Sequence, residues 1–155
     1  MGRFDSTPQR AYVTDHLLEQ MRASLTAYSY DKPENTPGGW TDDPSKPTSR
    51  YVPYSIIEPL QAVFSEGSVG RPATIWTLPY SLTSYGVTGT QAERQSDKLR
   101  KLVCEIENEV VLFGSDQWKI LRITCPRIGQ VMRNRSGVKP IYEQNDTAQV
   151  QISKE

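Results

Sequence analysis

The sequence predicts a single α+β domain, built from a mainly antiparallel sheet with two principal helices packed on one face. Two segments carry apolar residues at helical spacing, and several short segments alternate apolar with polar residues as β-strands do. These segments do not follow the strand–helix–strand repetition of a parallel sheet, which favours the α+β class. The chain has 155 residues, and we expect residues 1–155 to form one domain.

The first helix is predicted to begin at about Pro8 or Thr14 and to end at Ala27. Ser6 or Thr7 can cap its N-terminus, and proline suits a first helical turn. The apolar residues that recur at helical spacing are Leu17, Leu18, Met21, Leu25 and Tyr28. They predict one buried stripe along this helix.

A long irregular loop is predicted over residues 31–50, where four prolines and two glycines leave no periodic pattern. A loop of this length in a small domain is usually functional or disordered. Trp40 lies in the middle of it. We interpret this residue either as an anchor on the domain's own surface or as a contact for a partner.

Two strands are predicted next, over residues 51–60 and 74–82. Pro53 and Pro59 bracket the first strand, which indicates an edge strand or a short one. The second strand alternates clearly, with Trp76 and Leu78 on its apolar face. Pro79 inside it predicts an edge position or a β-bulge.

The second helix is predicted over about residues 91–108, with Thr90 and Glu93 as a capping box. Its C-terminal end carries Glu105, Glu107 and Glu109, where the helix dipole disfavours negative charge. Its predicted apolar stripe is Leu99, Leu102, Val103, Ile106 and Val110. A basic surface, in this chain or in a neighbouring one, would offset the unfavourable negative charge at this end of the helix.

The remainder of the chain predicts more strands. Residues 118–125 are rich in β-formers, residues 134–137 are typical of a hairpin tip, and Asn145 and Asp146 predict a turn. The last segment alternates Ala148, Val150 and Ile152 with polar residues, which predicts a half-buried strand.

Between Trp118 and Tyr142 the sequence contains six basic residues and no acidic one. They are Lys119, Arg122, Arg127, Arg133, Arg135 and Lys139. We favour the interpretation that they keep strand faces and edges from pairing with other chains. The alternative is a basic surface for an acidic neighbour or for DNA. The acidic end of the second helix is a candidate mate for this segment, within one subunit or across a ring.

Charge and chemistry argue against several classes of function. Lys+Arg and Asp+Glu are both 18, and this zero net charge disfavours bulk affinity for nucleic acid or membranes. The single histidine, His16, is expected at the surface, and Cys104 and Cys125 as reduced thiols. The glycine pairs at 67–70 and 86–89 lack the lysine of a phosphate loop. We therefore expect a soluble protein that is not an enzyme, with no catalytic, cofactor-binding or metal-binding residues.

The order of segments carries a resemblance. It consists of residues 54–60 (YSIIEPL), 73–86 (ATIWTLPYSLTSYG), 88–93 (TGTQAE) and 96–100 (SDKLR), followed by the alternating tail at 146–152. Through these motifs the chain resembles the tail terminator (tail completion) proteins of long-tailed, non-contractile phages, most of all those of actinobacteriophages. The likeness covers about residues 51–153 and includes an Asp-x-x-Arg helix face, here Asp97 and Arg100. The 31–50 loop and Pro79 depart from the family pattern.

The resemblance implies a structural virion protein that works without cofactor or catalysis. Such proteins form a ring, expected here to be a hexamer, that caps the head-proximal end of the tail tube and ends tube polymerisation. The implied partners are further copies of the chain, the tail tube protein, and the head–tail connector or head-completion protein. DNA is expected to pass through the lumen without specific binding. The implied location is the head–tail junction of the virion, and the host cytoplasm during assembly.

Docking elements of this ring are predicted in the 31–50 loop and in the hairpin at 133–139. The candidate docking and interface residues are Trp40, Arg133, Arg135, Lys139, Glu105 and Glu109. Three other functions stay open. The nearest is another neck protein, either a head-completion protein or a connector adaptor. A small nucleic-acid-binding module would use the basic segment, and a small enzyme is disfavoured by the missing motifs.

Overall fold

The computed structural model describes residues 9–33, 38–66, 75–106, 110–113, 116–135, 137 and 139–154. The helices are α1 (Arg10–Arg22) and α2 (Gly89–Cys104). The strands are β1 (Ala27–Ser29), β2 (Gly39–Trp40), β3 (Tyr51–Val52), β4 (Tyr54–Pro59), β5 (Val63–Glu66), β6 (Ile75–Gly86), β7 (Val110–Phe113), β8 (Asp116–Arg127), β9 (Val131–Asn134) and β10 (Ile141–Lys154). The predicted α+β class is confirmed. Among the described residues, no helix has the length and apolar character needed to cross a membrane.

Two long antiparallel strands, β6 and β10, form the centre of the main sheet. The strand order is β1-β4-β6-β10-β8-β7. β4 and β5 both pair with β6, on the edge of β6 that faces away from β10. β9 and β8 both pair with β10, on the edge of β10 that faces away from β6. Of the described pairs only β1 and β4 run parallel, and β2 and β3 form a separate two-stranded ribbon. The other strands of the main sheet are thus arranged on either side of this long central pair.

The hydrophobic core lies between one face of the sheet and the two helices. Alternate residues of β6 and β10 point into it and are at most 1% exposed: Leu78, Tyr80, Leu82, Ala148, Val150 and Ile152. Helix α1 contributes Val13, Leu17, Leu18 and Met21, and α2 contributes Leu99 and Val103. Full burial of one such large apolar side chain stabilises the fold by about 1.5–3 kcal/mol. The alternation predicted for the C-terminal strand is confirmed.

Helix α1 ends at Arg22, so the predicted end at Ala27 is wrong. The chain leaves the helix and forms β1, which pairs in parallel with β4 and buries Ala27 and Tyr28. This pairing supplies the backbone hydrogen bonds that a longer helix would have made, and so it overrides the helical spacing. The predicted caps Ser6 and Thr7 lie outside the described residues.

Helix α2 begins directly after Thr88, which is its N-cap. The Oγ1 atom of Thr88 accepts a hydrogen bond from the Gln91 backbone at 3.1 Å, and Gln91 Oε1 accepts one from the Val87 backbone at 2.7 Å. The capping residues are therefore Thr88 and Gln91, and the predicted pair Thr90 and Glu93 is wrong. Thr-x-x-Gln satisfies exposed N–H groups at a helix start as well as Thr-x-x-Glu does.

The C-terminal end of α2 is also earlier than predicted. The last helical residue is Cys104, and Glu105 caps the helix through its backbone N–H. Ile106 is buried just beyond it, whereas Glu109 lies outside the described residues. Val110 belongs to β7 and is 48% exposed, so it is not part of the helical stripe. Pairing between β7 and β8 draws the chain away from the helix.

Pro79 lies in a central strand, and the prediction of an edge position or bulge is wrong. Its carbonyl oxygen accepts a hydrogen bond from the Leu60 backbone at 2.9 Å, on the side away from β10. In an antiparallel strand the N–H and C=O of a residue point to the same neighbour. The missing N–H therefore faces the gap between Pro59 at the end of β4 and Val63 at the start of β5. The proline therefore removes no backbone hydrogen bond between β6 and β10.

Pro53 divides the predicted strand at 51–60 into β3 and β4. β4 is short, but it lies between β1 and β6 and is therefore not an edge strand. β3 pairs with β2 through Trp40 and Tyr51, so the 31–50 segment contains a strand that the sequence did not predict. The ribbon closes the base of the loop.

Asn145 and Asp146 lie inside β10, so the predicted turn is wrong. Asn145 Nδ2 donates hydrogen bonds to Ser81 Oγ at 2.6 Å and to Thr83 Oγ1 at 2.8 Å, both on the adjacent strand β6. These side-chain bonds join two strands, whereas a turn would bend one chain back on itself. The hairpin that returns from the tip near residues 134–137 is confirmed by the pairing of β9 with β10.

Candidate functional site

A cluster of aromatic side chains covers one end of the sheet face that points away from the helices. Tyr54 and Tyr85 are register partners, and their rings stack with centroids 4.8 Å apart. Tyr28 meets Tyr54 edge-on at 6.3 Å, and Tyr51 lies 6.5 Å from the same ring. Trp40 packs edge-on against Tyr51 at 5.4 Å. Such pairs add about 0.5–1.5 kcal/mol each beyond the area they bury.

Three tyrosines of this cluster, Tyr51, Tyr54 and Tyr85, stay neutral at physiological pH. Burial raises the pKa of Tyr51, and burial together with the nearby Glu143 carboxylate raises the pKa of Tyr85 to about 12. Burial raises the pKa of Tyr54 as well. A neutral aromatic cluster holds the loop by packing.

Two glycines bring the loop down onto these rings. Gly38 has a φ of 122° and Gly39 a φ of 79°, conformations that side-chain-bearing residues rarely adopt. A Cβ at Gly38 would lie 3.2 Å from Lys32 Cδ and 3.4 Å from ring or Cβ atoms of Tyr28 and Tyr54. The sequence thus places glycine where the loop backbone approaches the cluster closely.

Trp40 joins the loop to the hairpin that follows β9. Lys139 Nζ lies 5.1 Å from the centroid of the Trp40 ring, within the range of a cation–π contact. Trp40 is half-buried on the domain's own surface, and Lys139 is exposed. The structure therefore brings together two of the candidate docking residues, one from each predicted docking element.

The other basic candidates point in different directions. Arg133 pairs with Tyr142 across the hairpin and its guanidinium lies 6.0 Å from the Tyr142 ring. Tyr142 is the register partner of Gly86, and Gly86 lies against the first turn of α2. Arg133 therefore lies on the helix side of the sheet. Arg135 is exposed at the end of β9. The basic segment therefore does not form one continuous surface.

Three further basic residues share the open face of the sheet. Lys119, Arg122 and Arg127 are the register partners of Ser153, Gln151 and Thr147. Glu105 is exposed at the end of α2, and no ion pair joins it to the basic segment within the described part of the chain. Within the described residues, then, the predicted acidic and basic mates are not joined, and their pairing across a ring stays a prediction. Glu109 lies outside the described residues.

Sequence analysis missed a buried polar cluster beneath α2. Asp146 is 0% exposed and accepts hydrogen bonds from Arg100 Nη1 at 2.8 Å, Gly129 N at 2.8 Å and Gln144 Nε2 at 3.0 Å. Ser96 also donates to Asp146, and Arg100 pairs with Asp97 one turn earlier. Had residues 141–154 been treated as one strand, the inward positions 144 and 146 would have predicted this cluster.

The electrostatics of the cluster keep Asp146 ionised. Burial alone raises the pKa of Asp146, but hydrogen bonds from Ser96, Gln144, Gly129 and Arg100 outweigh it and lower the pKa below its usual value. Both carboxylate oxygens are occupied by these donors. The cluster consequently ties α2 to β10.

The two cysteines lie near this cluster as free thiols. Cys104 is exposed at the end of α2, and Cys125 is half-buried in β8. Burial, followed by the neighbouring Cys104, raises the pKa of Cys125 to about 11. Across the described residues, no group of three or more His, Cys, Asp or Glu side chains has the arrangement to hold a metal ion.

Comparison with known proteins assigns this chain to no family. No family model matches this sequence, and no curated protein matches it. One solved structure, under a name that states no function, is similar over 94% of this chain and 92% of that chain, with a TM-score of 0.47 and 12% sequence identity. That likeness is too distant to support a function. The class that the structure defines is a single-domain α+β protein.

Proposed function

We propose that this chain is a non-enzymatic structural protein of a phage virion, a tail terminator that caps the head-proximal end of the tail tube. In this role it assembles as a ring, ends tube polymerisation and presents a docking surface to the head connector. The proposal rests on the resemblance carried by residues 51–153, and contacts seen in the structure support it.

The supporting observation is that the two proposed docking elements form one surface. The 31–50 loop and the hairpin at 133–139 are far apart in sequence, yet Lys139 lies over the ring of Trp40. The aromatic cluster beneath the loop anchors this surface to the central strand β6 through Tyr54 and Tyr85. A rigid scaffold that carries a loop and a hairpin side by side suits a protein that docks onto a large assembly.

The motif positions of the resemblance are also connected in space. Asp97 and Arg100 form the Asp-x-x-Arg face of α2, and Asp146 opens the alternating tail of β10. Arg100 bonds to both carboxylates, at 2.8 Å in the case of Asp146. These separate motifs thus contribute to one structural unit, which favours treating them as a single pattern.

Electron microscopy of tail tubes tests the proposal directly. The purified chain is mixed with tube-competent tail extracts, and its mass alone is measured by native mass spectrometry. We expect a cap at the head-proximal end of the tubes, or a closed ring in solution. A monomer that never contacts tube ends but binds the head portal would favour the connector or head-completion role instead.

Variants of the shared docking surface sharpen the test. Lys139→Glu and Trp40→Ala are both expected to reduce capping. Lys139→Glu should leave the melting temperature within a few degrees of the wild type because Lys139 is exposed. Trp40→Ala removes a half-buried ring that packs on Tyr51, so it should lower the melting temperature without unfolding the domain. Lys101→Glu, an exposed charge reversal on α2, is the matched control and is expected to cap normally. Normal capping by both docking variants would contradict the assignment of this surface.

A nucleic-acid-binding module is the second candidate function, and one observation favours it. Arg122 lines an open cleft of about 210 Å³ on the exposed sheet face, together with Thr77, Thr124, Gln149 and Gln151. Guanidinium, hydroxyl and amide groups are the donors that contact phosphates. Binding of a DNA duplex that weakens steeply with salt would favour this function, and Arg122→Gln should then reduce the salt slope by about one unit.

A further inference from the structure

The structure brings the two free cysteines together from separate elements. Cys104 is the last residue of α2 and is exposed, whereas Cys125 lies in β8 and is half-buried. The thiol of Cys125 forms a hydrogen bond with the thiol of Cys104. The two sulfur atoms are therefore neighbours, although a whole strand, β7, lies between the two residues in sequence.

The packing of α2 across the sheet explains why the thiols meet. Arg100 lies one turn before Cys104, on the same face of the helix, and its Nη1 atom bonds to Asp146 of β10 at 2.8 Å. Cys125 lies on the neighbouring strand and packs against the hydrophobic core, so its side chain is on the helix side of the sheet. This end of α2 thus lies over β10 and β8 together, and the contact between the thiols belongs to the native packing.

The surroundings give the two thiols different reactivities. Cys104 is open to reagents in solution. Burial, and then the neighbouring Cys104, raise the pKa of Cys125 to about 11, an effect that Arg100 opposes and Asp146 reinforces. A small reagent therefore reacts with Cys104 first, because the thiolate is the reactive form and little of Cys125 is thiolate at neutral pH. Cys125 is instead in position to attack a sulfur atom that is already attached to Cys104.

We propose that Cys104 and Cys125 form a reversible disulfide, with a low-molecular-weight disulfide such as oxidised glutathione as the oxidant. In the first step the Cys104 thiolate attacks one sulfur of the reagent, one small thiol leaves, and a mixed disulfide remains on Cys104. In the second step Cys125 attacks the Cys104 sulfur, and the second small thiol leaves. The two protein thiols are oxidised, and the reagent is reduced to two thiols that carry the two protons.

The disulfide joins the C-terminal end of α2 to β8. Glu105 follows Cys104 directly and caps the helix through its backbone N–H, so the bond fixes the end of the helix as well. The bond also closes the segment that contains β7, which restricts the unfolded chain more than the folded one. Oxidation is therefore expected to stabilise the domain. This inference holds whether or not the chain caps a tail tube.

Intact-mass spectrometry tests both steps. The full-length chain is incubated with oxidised glutathione, and samples are quenched with acid over time. We expect a glutathione adduct that forms first and then gives way to a species that lacks two hydrogen atoms. Peptide mapping without reduction should locate the new bond between Cys104 and Cys125, and dithiothreitol should reverse it. A stable adduct on the wild type, or disulfides only between two copies of the chain, would overturn the proposal.

Serine variants separate the thiol that reacts first from the thiol that closes the bond. Cys125→Ser should accumulate the adduct on Cys104 and go no further. Cys104→Ser should form an adduct at least about tenfold more slowly, because Cys125 is half-buried and mostly protonated. In the wild type, closure of the disulfide should accelerate by up to about tenfold per pH unit from about pH 7.5 to about pH 9, since the thiolate fraction of Cys125 rises in that proportion. A closure rate that does not change with pH would exclude Cys125 as the attacking group.

Thermal unfolding of the oxidised chain tests the structural consequence. We expect the oxidised wild type to melt at least about 3 °C higher than the same sample after treatment with dithiothreitol. Cys125→Ser, exposed to the same reagents, is the matched control and should show no such shift. A lower melting temperature in the oxidised wild type would mean that the bond forms only after local unfolding, and it would refute the native contact of the thiols.

Discussion

Lys139 lies over the indole ring of Trp40, with Nζ 5.1 Å from the ring centroid. The contact joins the tip of the hairpin after β9 to the loop between β1 and β3. Trp40 also packs against Tyr51 of β3, so it contacts two separate parts of the domain. The conformation of each docking element therefore depends on the other, and the contact can be measured energetically.

A double-mutant cycle on this pair should show a favourable coupling. Lys139→Ala and Trp40→Leu are combined, and the free energy of unfolding is measured with urea for all four proteins. We expect a coupling of about 0.5–1 kcal/mol, the range for an exposed cation–π contact. Lys46→Ala, on the same loop but paired with Asp42, is the control and should show no coupling with Trp40. A coupling of zero for Lys139 would mean that the contact does not stabilise the loop.

Asp146→Asn should make the stability less sensitive to acid. The pKa of Asp146 is lower in the folded chain than the value of about 3.9 expected when unfolded, so its charge stabilises the fold at pH above that value. The contribution is lost as the pH falls through the folded pKa. We expect Asp146→Asn to lower the free energy of unfolding by about 2 kcal/mol at pH 7.

The decisive measurement is how the difference in unfolding free energy between the wild type and Asp146→Asn depends on pH. Urea unfolding of both proteins at pH 7 and at pH 3 should give a difference in unfolding free energy that narrows at the lower pH, because below about pH 3.9 the unfolded chain takes up a proton on Asp146 more readily than the folded chain does. A gap of the same size at both pH values would mean that packing, and not the charge, explains the loss.

Gly129→Ala should destabilise the bend between β8 and β9. A Cβ at this position would lie 1.9 Å from the Asn145 carbonyl oxygen, far inside van der Waals contact. The backbone must then move and lose the 2.8 Å bond from Gly129 N to Asp146. We expect a loss of about 2 kcal/mol or more in thermal or urea unfolding. Gly137→Ala, whose added Cβ would meet nothing closer than the Lys139 carbonyl at 3.6 Å, should be nearly neutral.

Thr88→Ala and Thr90→Ala should differ in their effect on α2. Thr88 accepts the hydrogen bond from Gln91 N, and its loss is expected to cost about 1 kcal/mol of unfolding free energy. Thr90 lies within the first turn and is exposed, so alanine there is expected to be neutral or slightly stabilising. Circular dichroism during thermal unfolding measures both. Equal losses would show that the cap is shared between the two positions.

The two cysteines should react with iodoacetamide at very different rates. Cys104 is exposed, whereas Cys125 is half-buried with its pKa raised to about 11, so little of it is thiolate at neutral pH. Mass spectrometry at pH 7.5 is expected to show one rapid modification at Cys104 and a much slower one at Cys125. The variant Cys104→Ser should lose the rapid phase. Rapid labelling that persists in this variant would show that Cys125 is accessible.

Local patterns were sufficient to predict the parts of the fold that depend on one segment at a time. The stripe with Leu17 and Leu18 predicted α1, and the alternation of Val150 and Ile152 predicted the C-terminal strand and its buried face. Both follow from the period with which side chains point to one side of a helix or strand. The candidate residue Trp40 was found for a similar local reason, as a large aromatic in a polar loop.

Pairing between distant segments decided the rest. Ala27 entered a strand because β4 offered it hydrogen bonds, and Pro79 is tolerated in a central strand because β4 and β5 leave a gap beside it. Asp146 became a buried anchor because Arg100 and Ser96 face it from α2.

By itself, then, the sequence determined the fold class and the helical parts of the two buried stripes, Leu17, Leu18 and Met21 on α1 and Leu99 and Val103 on α2, since these are properties of single segments. The tertiary structure alone decided that Lys139 meets Trp40 and that Arg100 meets Asp146. The physical reason is that hydrogen bonds and packing between remote segments outweigh weak local preferences, and which segments meet is not encoded in any local period.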